Sequence, residues 1–263
     1  MNKQPRQGTS TLRPALVAAL AMIWPMLASA QLNVMISGGF SGSYEKLLPE
    51  FERASGIKVK TGSGSSQGTG PQTIGAQLAR GVPVDVVILS REGLTDLMEH
   101  QRIAAGTDAD LARVGIGVMV RSGAPKPDVS SVEAFKRVAT SAKLVAIPGS
   151  TSGIWLVKEL FPRLGIADKV KYKMTPRGAG AAAMVAAGEA DIGILPVSEI
   201  LHAPGVENAG QVPAEIDFPQ TFSAAVVQGS KQADEGKKLI QFLSSEKAAS
   251  VIRQAGMEPL GKK

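Results

Sequence analysis

The sequence contains no cysteine and only two histidines among its 263 residues. The missing cysteines exclude disulfides and thiolate metal sites, and the isolated histidines show no spacing typical of a metal site. No Walker A lysine follows a glycine-rich loop, and no G-x-G-x-x-G motif follows the first predicted strand. We therefore expect neither a bound metal nor another cofactor.

Aromatic residues and excess charge are also scarce. The chain has two Trp, two Tyr and seven Phe, and its formal net charge is +6, of which three charges precede residue 31. No stripe of Lys and Arg with interleaved aromatics, the pattern typical of nucleic-acid binding, is present. The composition thus argues against a nucleic-acid partner.

One apolar run stands out, residues 15–27. It follows a basic segment that contains Lys3, Arg6 and Arg13, and it precedes the small residues 28–30. This order is typical of a cleaved secretory signal peptide, and the run is too short to span a bilayer. We expect residues 1–30 to be a signal peptide, the mature chain to reach the periplasm, and no part of it to insert into the membrane.

Strands alternate with helices along residues 31–263. A strand, a Ser/Gly-rich loop and a helix recur at residues 32–41, 57–71, 144–153 and 170–181. This alternation predicts an α/β fold with mostly parallel sheets and helices on both faces. Ligands of such sheets bind beyond the carboxyl ends of the strands, where all four loops lie. The loops are therefore expected to frame one polar pocket.

Two of these loops carry groups that suit an anion. Ser65 and Ser66 precede one predicted helix, and Ser150, Thr151 and Ser152 precede another. Hydroxyls combined with the free N–H groups of a first helical turn form an anion site, although serine caps and turns also occur without function. Because two such loops occupy matching positions in the sheets, we favour the functional interpretation.

Two arginines are candidate clamps for a carboxylate. Arg177 directly precedes a predicted helix, and Arg91 lies just past a strand end. A guanidinium can hold a carboxylate through two parallel hydrogen bonds, whereas the usual alternative is a solvated surface arginine. Arg177 is the stronger candidate because its loop follows the carboxyl end of a strand.

Ser41 is the predicted N-cap of the first helix.

The segment 64–68 also matches the G-x-S-x-G motif of serine hydrolases. That chemistry needs a downstream acid followed by a histidine at a strand end. His100 closes a predicted helix, and His202 lies in a stretch rich in Pro and Gly. Since the loop is also too long for a sharp nucleophile turn, a serine hydrolase is a poor interpretation.

Several segments resemble the periplasmic molybdate-binding protein family. They are residues 52–59 (ERASGIKV), 77–88 (QLARGVPVDVVI), 153–165, 185–195 and 242–249. The resemblance covers essentially all of residues 31–263. It implies a type II periplasmic binding protein fold, in which two α/β lobes joined by crossing strands enclose a ligand cleft. Lobe 1 is expected over residues 31–113 plus 223–263, and lobe 2 over residues 114–222.

The resemblance also implies particular ligand contacts. By position, contacts of the family fall on Ser66, Ser152 and Gly178, whereas a family serine becomes Gly39 and a family tyrosine becomes Pro196. These smaller groups, with an arginine beside a contact position, favour an organic di- or tricarboxylate over molybdate. The expected ligand-binding residues are Gly39, Phe40, Ser41, Ser65, Ser66, Arg91, Ser150, Thr151, Ser152, Arg177 and Gly178.

Three functions follow from the resemblance. The first is a monomeric solute receptor of an ABC-type importer, with an inner-membrane permease as its partner. The alternative is an enzyme, because the divergent branch of the family includes aconitate isomerase, which interconverts trans- and cis-aconitate by a 1,3-allylic proton shift. The third is a ligand-sensing partner of a membrane receptor. No catalytic base is assigned: Glu45 and Glu199 are the acids nearest the predicted loops, and both are more typical of surface residues.

Overall fold

The computed structural model of the protein describes residues 1–2 and 31–261. The predicted signal peptide, residues 1–30, thus lies outside the described residues apart from its first two. Among the described helices, none is both long and apolar enough to cross a membrane. Residues 31–261 form two β-sheets, each packed with its own helices.

The first sheet and its helices form one lobe. Its strands are β1 (Leu32–Ile36), β2 (Val59–Ser63), β3 (Val86–Ser90), β4 (Ala109–Val114), β10 (Gln220–Val226) and β11 (Glu258–Pro259). They lie in the order β11-β4-β10-β3-β1-β2. The helices of this lobe are α1 (Gly38–Ser55), α2 (Ile74–Ala79), α3 (Arg91–Glu99), α9 (Ala233–Leu243) and α10 (Glu246–Gln254).

The second sheet forms the other lobe. Its strands are β5 (Ile116–Arg121), β6 (Val145–Pro148), β7 (Tyr172–Thr175), β8 (Ile192–Pro196) and β9 (Val206–Gln211), in the order β7-β6-β8-β5-β9. Its helices are α4 (Val132–Ser141), α5 (Thr151–Trp155), α6 (Phe161–Arg163), α7 (Gly178–Ala186) and α8 (Val197–His202). A π-helical turn, Leu156–Leu160, joins α5 to α6.

Each lobe has an apolar core of its own. In the first lobe, Phe40 and Tyr44 of α1 pack with Phe222 of β10. In the second lobe, Phe135 of α4 and Phe161 of α6 cover the sheet. All five residues of β3 are buried, as expected for a strand that is covered on both faces.

The chain crosses between the sheets twice, at Gly115 and between β9 and β10. The two-lobe α/β fold expected from the sequence is confirmed. Both sheets are mixed, because β1, β2 and β3 pair in parallel, as do β6, β7 and β8. The strands next to the crossings, β10 in the first sheet and β5 in the second, pair antiparallel with their neighbours. A strand that returns from the other lobe enters its sheet in the opposite direction. The predicted lobe boundary between residues 222 and 223 falls inside β10, all of which pairs in the first sheet.

The start of α1 differs from the prediction, which placed the N-cap at Ser41. The helix begins at Gly38, and Ser37 holds the cap position with extended backbone angles (φ −87°, ψ 165°). Ser41 lies in the first turn and donates its hydroxyl to the carbonyl oxygen of Gly38 (2.6 Å). The earlier start brings Ser37 and the first N–H groups of the helix to the carboxyl end of β1.

Candidate functional site

A cavity of about 300 Å³, counted with its opening, lies between the two lobes. The first lobe contributes Ser37, Gly38, Gly39, Ser65, Ser66, Gln220 and Phe222. The second lobe contributes Pro148, Ser150, Thr151, Ser152, Arg177, Gly178 and Glu199. Most of these residues follow the carboxyl ends of parallel strands, where open α/β sheets bind ligands.

Three helices begin at this cavity, α1 from the first lobe and α5 and α7 from the second. Their cap residues are Ser37, Ser150 and Arg177, and none of these side chains caps its helix in the described structure. The first N–H groups of each helix are therefore available to a bound group, and the helix dipoles favour negative charge there. The cavity is thus suited to an anion with several oxygens.

Buried polar atoms without partners also converge on the cavity. Ser37 Oγ, Arg177 Nε and Gln220 Oε1 are buried and make no hydrogen bond among the described residues. Ser37 and Gln220 are only 3% and 4% exposed. Folded proteins leave few such groups unpaired, because each unmade bond destabilises the fold. Three of them around one cavity indicate that a ligand completes their hydrogen bonds.

Hydroxyl groups link the two lobes at one side of the cavity. Ser90 Oγ lies 2.7 Å from Thr151 Oγ1, which also bonds to Gln67 Oε1 at 3.0 Å. The Gln67 backbone N–H donates to Ser150 Oγ (3.3 Å), and that of Ser90 donates to Ser66 Oγ (2.9 Å). Because Ser90 and Gln67 belong to the first lobe, their bonds to Thr151 and Ser150 join the two lobes, whereas the Ser66–Ser90 bond lies within the first lobe.

A carboxyl group occupies the opposite side. Glu199 projects from α8 against the N-termini of α1 and α7, where Gly38 and Gly178 leave room for it. A Cβ atom would lie 3.0 Å from Glu199 Cδ if built on Gly38, and 2.8 Å if built on Gly178, closer than side chains tolerate. Burial of the carboxyl raises the pKa of Glu199 to about 7, although the nearby Arg177 cation lowers it in part. This group can therefore accept and release a proton near neutral pH.

Phe222 provides the apolar part of the wall. The ring is buried against Gly39, and any side chain at Gly39 would overlap it. The glycine that replaces a family serine thus makes room for an aromatic surface instead of presenting a hydroxyl. A ligand carbon skeleton can lie on that surface while its charged ends reach the helix N-termini.

Most of the residues predicted to bind ligand line this cavity. They are Gly39, Ser65, Ser66, Ser150, Thr151, Ser152, Arg177 and Gly178. Three lie elsewhere. Phe40 is fully buried in the core of the first lobe, and Ser41 lines a neighbouring cavity. Arg91 is paired with Asp108 (2.8 Å) and Asp110, which satisfy its guanidinium within the first lobe.

Sequence reasoning missed part of the site. No sequence pattern indicates that Ser37, Gln220 or Phe222 belongs to the site, and Glu199 is predicted to be a surface residue. The helix that carries Glu199 was not predicted at all. One signal in the sequence could have identified Glu199. It lies three residues beyond Pro196, the last residue of a strand, and the Ser-rich loops of the site also follow strand ends.

Comparison with known proteins assigns the family. The model of the bacterial extracellular solute-binding proteins matches residues 32–258. The chain belongs to this family. It is also 36% identical over 252 residues to an aconitate isomerase from a Pseudomonas species, across 94% of this chain and 95% of that protein.

Molybdate-binding proteins are more distant relatives. The molybdate-binding protein ModA of Haemophilus influenzae is 22% identical across 86% of this chain and 89% of its own length. The structure of the Azotobacter vinelandii periplasmic molybdate-binding protein superposes with a TM-score of 0.71 at 21% identity, across 86% of this chain and 98% of that one. These likenesses confirm the predicted resemblance and the fold.

Proposed function

We propose that this solute-binding protein family member is an isomerase that moves a proton along a small unsaturated tricarboxylate, with trans- and cis-aconitate as its substrate pair. The observation that carries the proposal is the position of Glu199 inside a cavity otherwise built from anion-binding groups. An ionised carboxylate there repels a bound anion, so its presence suits a proton acceptor better than a passive receptor. The 36% identity to an aconitate isomerase supports the same chemistry.

The cavity offers separate partners for several carboxylates. Arg177 can bind one of them through two hydrogen bonds, including one from its unpaired Nε. The N-termini of α1 and α5 and the hydroxyls of Ser65 and Ser152 suit the others. With the charged ends held in this way, the planar carbon chain lies along the Phe222 ring, and its methylene group faces Glu199.

The reaction then needs one residue to move one proton. The Glu199 carboxylate removes a proton from the methylene carbon, and the electron pair of that C–H bond delocalises through the adjacent double bond into a carboxylate. The Glu199 carboxyl then delivers a proton to the former vinyl carbon. The double bond has moved by one position, and neither an oxidant nor a reductant is consumed. A carboxyl group whose pKa is about 7 suits both steps near neutral pH.

The intermediate carries more charge on its carboxylate oxygens than the substrate does. Arg177 and the free N–H groups at the start of α1 and α7 lie where this charge develops. Fixed donors of this kind stabilise a developing anion without reorganising during the reaction. They also allow a weak base to remove a carbon-bound proton.

Conversion of trans-aconitate by the purified mature chain, residues 31–263, tests this proposal. We expect proton NMR to reveal cis-aconitate accumulating without any membrane component or cofactor. A preparation from the Glu199→Gln variant controls for contaminating isomerase. Line broadening of trans-aconitate without conversion would contradict the enzyme and favour a receptor, and no interaction at all would exclude this ligand.

A carboxylate receptor is the second candidate, and the hydrogen-bonded closure of the two lobes favours it. Ligand-dependent closure is how solute receptors present their cargo. In this role the protein would be a periplasmic monomer that delivers a di- or tricarboxylate to an inner-membrane ABC permease. A receptor returns its ligand unchanged, so the same NMR experiment separates the two functions.

A further inference from the structure

A second cavity adjoins Glu199 on the side away from the ligand cavity. It measures about 640 Å³, counted with its opening, and it shares Gly38, Arg177 and Glu199 with the ligand cavity. Its remaining wall is formed by small residues of α7 and by the end of α8, including Ala183 and His202. The Glu199 side chain therefore stands between the two cavities.

The second cavity opens to solvent. Ala179 and Ala183 at its rim are exposed, and the side chain of His202 is 46% exposed. His202 lies one helical turn beyond Glu199 on α8, and its Nε2 atom is 3.2 Å from Glu45 Oε2. The opening is thus lined by groups that tolerate water and by one side chain that can relay a proton.

We propose that this second cavity is a port through which the proton held by Glu199 exchanges with solvent while the lobes remain closed on the substrate. The inference rests on the proposed isomerase function and states where the proton that Glu199 removes from the substrate goes. After Glu199 takes a proton from the methylene carbon, water in the port accepts that proton and returns another to the same carboxyl. The proton delivered to the vinyl carbon then originates in the solvent, and the charge on Glu199 is unchanged by the exchange.

Two fates of the proton can be separated by isotope. In a sealed site, the carboxyl returns the proton it removed, and the product formed in deuterated water carries no deuterium at the new methylene carbon. With an open port, the product carries one deuterium there. The labelled fraction of the first product molecules therefore measures exchange independently of the rate of conversion.

The test blocks the port and leaves the ligand cavity intact. Protiated trans-aconitate is converted in deuterated buffer by the wild-type mature chain and by Ala183→Leu, and deuterium in cis-aconitate is measured by NMR and mass spectrometry below about one-tenth conversion. We expect the wild-type product to be largely labelled. Since a leucine displaces water from the port, we expect the labelled fraction to fall by about threefold or more in the variant, with conversion retained.

Ala187→Leu is the matched control, because Ala187 lies one turn beyond Ala183 as the C-cap of α7, is exposed, and lines neither cavity. Its product should be labelled as in the wild type. Two results would contradict proton exchange through the port. One is a wild-type product without deuterium, and the other is a fully deuterated product from an active Ala183→Leu variant. Absence of conversion by the wild-type protein overturns the isomerase itself, so the two failures are distinguishable. If Ala183→Leu does not fold, Ala179→Leu blocks the same rim and takes its place.

Discussion

The two sides of the ligand cavity differ in how completely their polar groups are satisfied. At the hydroxyl side, Ser90 Oγ already bonds to Thr151 Oγ1 across the lobes, and Ser66 Oγ accepts from the Ser90 backbone N–H within the first lobe. At the carboxyl side, Arg177 Nε has no partner among the described residues, and Arg177 lies near Glu199, whose pKa burial raises to about 7. The first side closes the lobes without a ligand, whereas the second is complete only when a ligand is bound. Substitutions at the hydroxyl side should therefore affect the closure of the two lobes, and substitutions at the carboxyl side should affect ligand binding and proton transfer.

The largest effect is expected from Glu199→Gln, which keeps the size of the side chain and removes its ability to accept a proton. Conversion of trans-aconitate should fall by about 100-fold or more, the usual contribution of a general base. Affinity should be unchanged or higher, because a like charge has left the cavity. The measurements are NMR conversion and calorimetric binding, with the exposed Glu189→Gln as control. Equal losses in conversion and affinity would assign Glu199 to binding instead.

Arg177→Ala should act on the same side, through affinity. Hydrogen bonds to charged groups contribute about 1.5–3 kcal/mol, so trans-aconitate should bind roughly tenfold to a hundredfold more weakly. The melting temperature without ligand should change little, because Arg177 Nε makes no hydrogen bond within the described chain.

Arg91→Ala is the opposite control, since it removes the ion pairs with Asp108 and Asp110 in the first lobe. It should lower the melting temperature and leave affinity unchanged. If the two arginine variants behaved alike, the assignment of Arg177 to the ligand would be wrong.

The smallest effect is expected at the hydroxyl side, from Thr151→Val. This change preserves shape and removes the bonds from Thr151 to Ser90 and Gln67. A net loss of about 1 kcal/mol corresponds to roughly fivefold weaker binding of trans-aconitate. Thr140→Val is the control, because among the described residues the Thr140 hydroxyl bonds only within its own helix. A loss as large as that of Arg177→Ala would show that closure, not the unpaired groups, dominates affinity.

The hydroxyl side could be predicted from the sequence, and the carboxyl side only in part. Ser150, Thr151 and Ser152 follow a strand and precede a helix, and this local order is enough to place their N–H groups and hydroxyls at a sheet edge. Arg177 was predicted for the same reason. The sequence also predicts a short buried strand at 192–196, and all five residues of β8 are buried.

Glu199 was missed because its helix is too short to display a period. Helix α8 spans only six residues, and its cap is Pro196, which carries no capping side chain. The sequence also does not reveal that Gln220 Oε1 is unpaired and that Arg91 is paired, for another reason. Whether a buried polar group is unpaired or satisfied depends on partners far along the chain, such as Asp108 and Asp110 for Arg91, and no local pattern encodes those contacts.

The central claim is that the Glu199 carboxyl exchanges its proton near neutral pH inside the anion cavity. Its pKa can be measured directly by ¹³C NMR of glutamate-labelled protein, with the Glu199 resonance assigned by its absence in Glu199→Gln. Burial raises the pKa of Glu199, and the positive charge of Arg177 opposes that rise. His202 is the other ionisable side chain on the same helix, α8. Because the ionised carboxylate is the base, conversion at low substrate should rise with pH through the same midpoint. The account predicts a midpoint of about 7 for both, whereas a resonance that titrates near the ordinary value of 4.5 would contradict it.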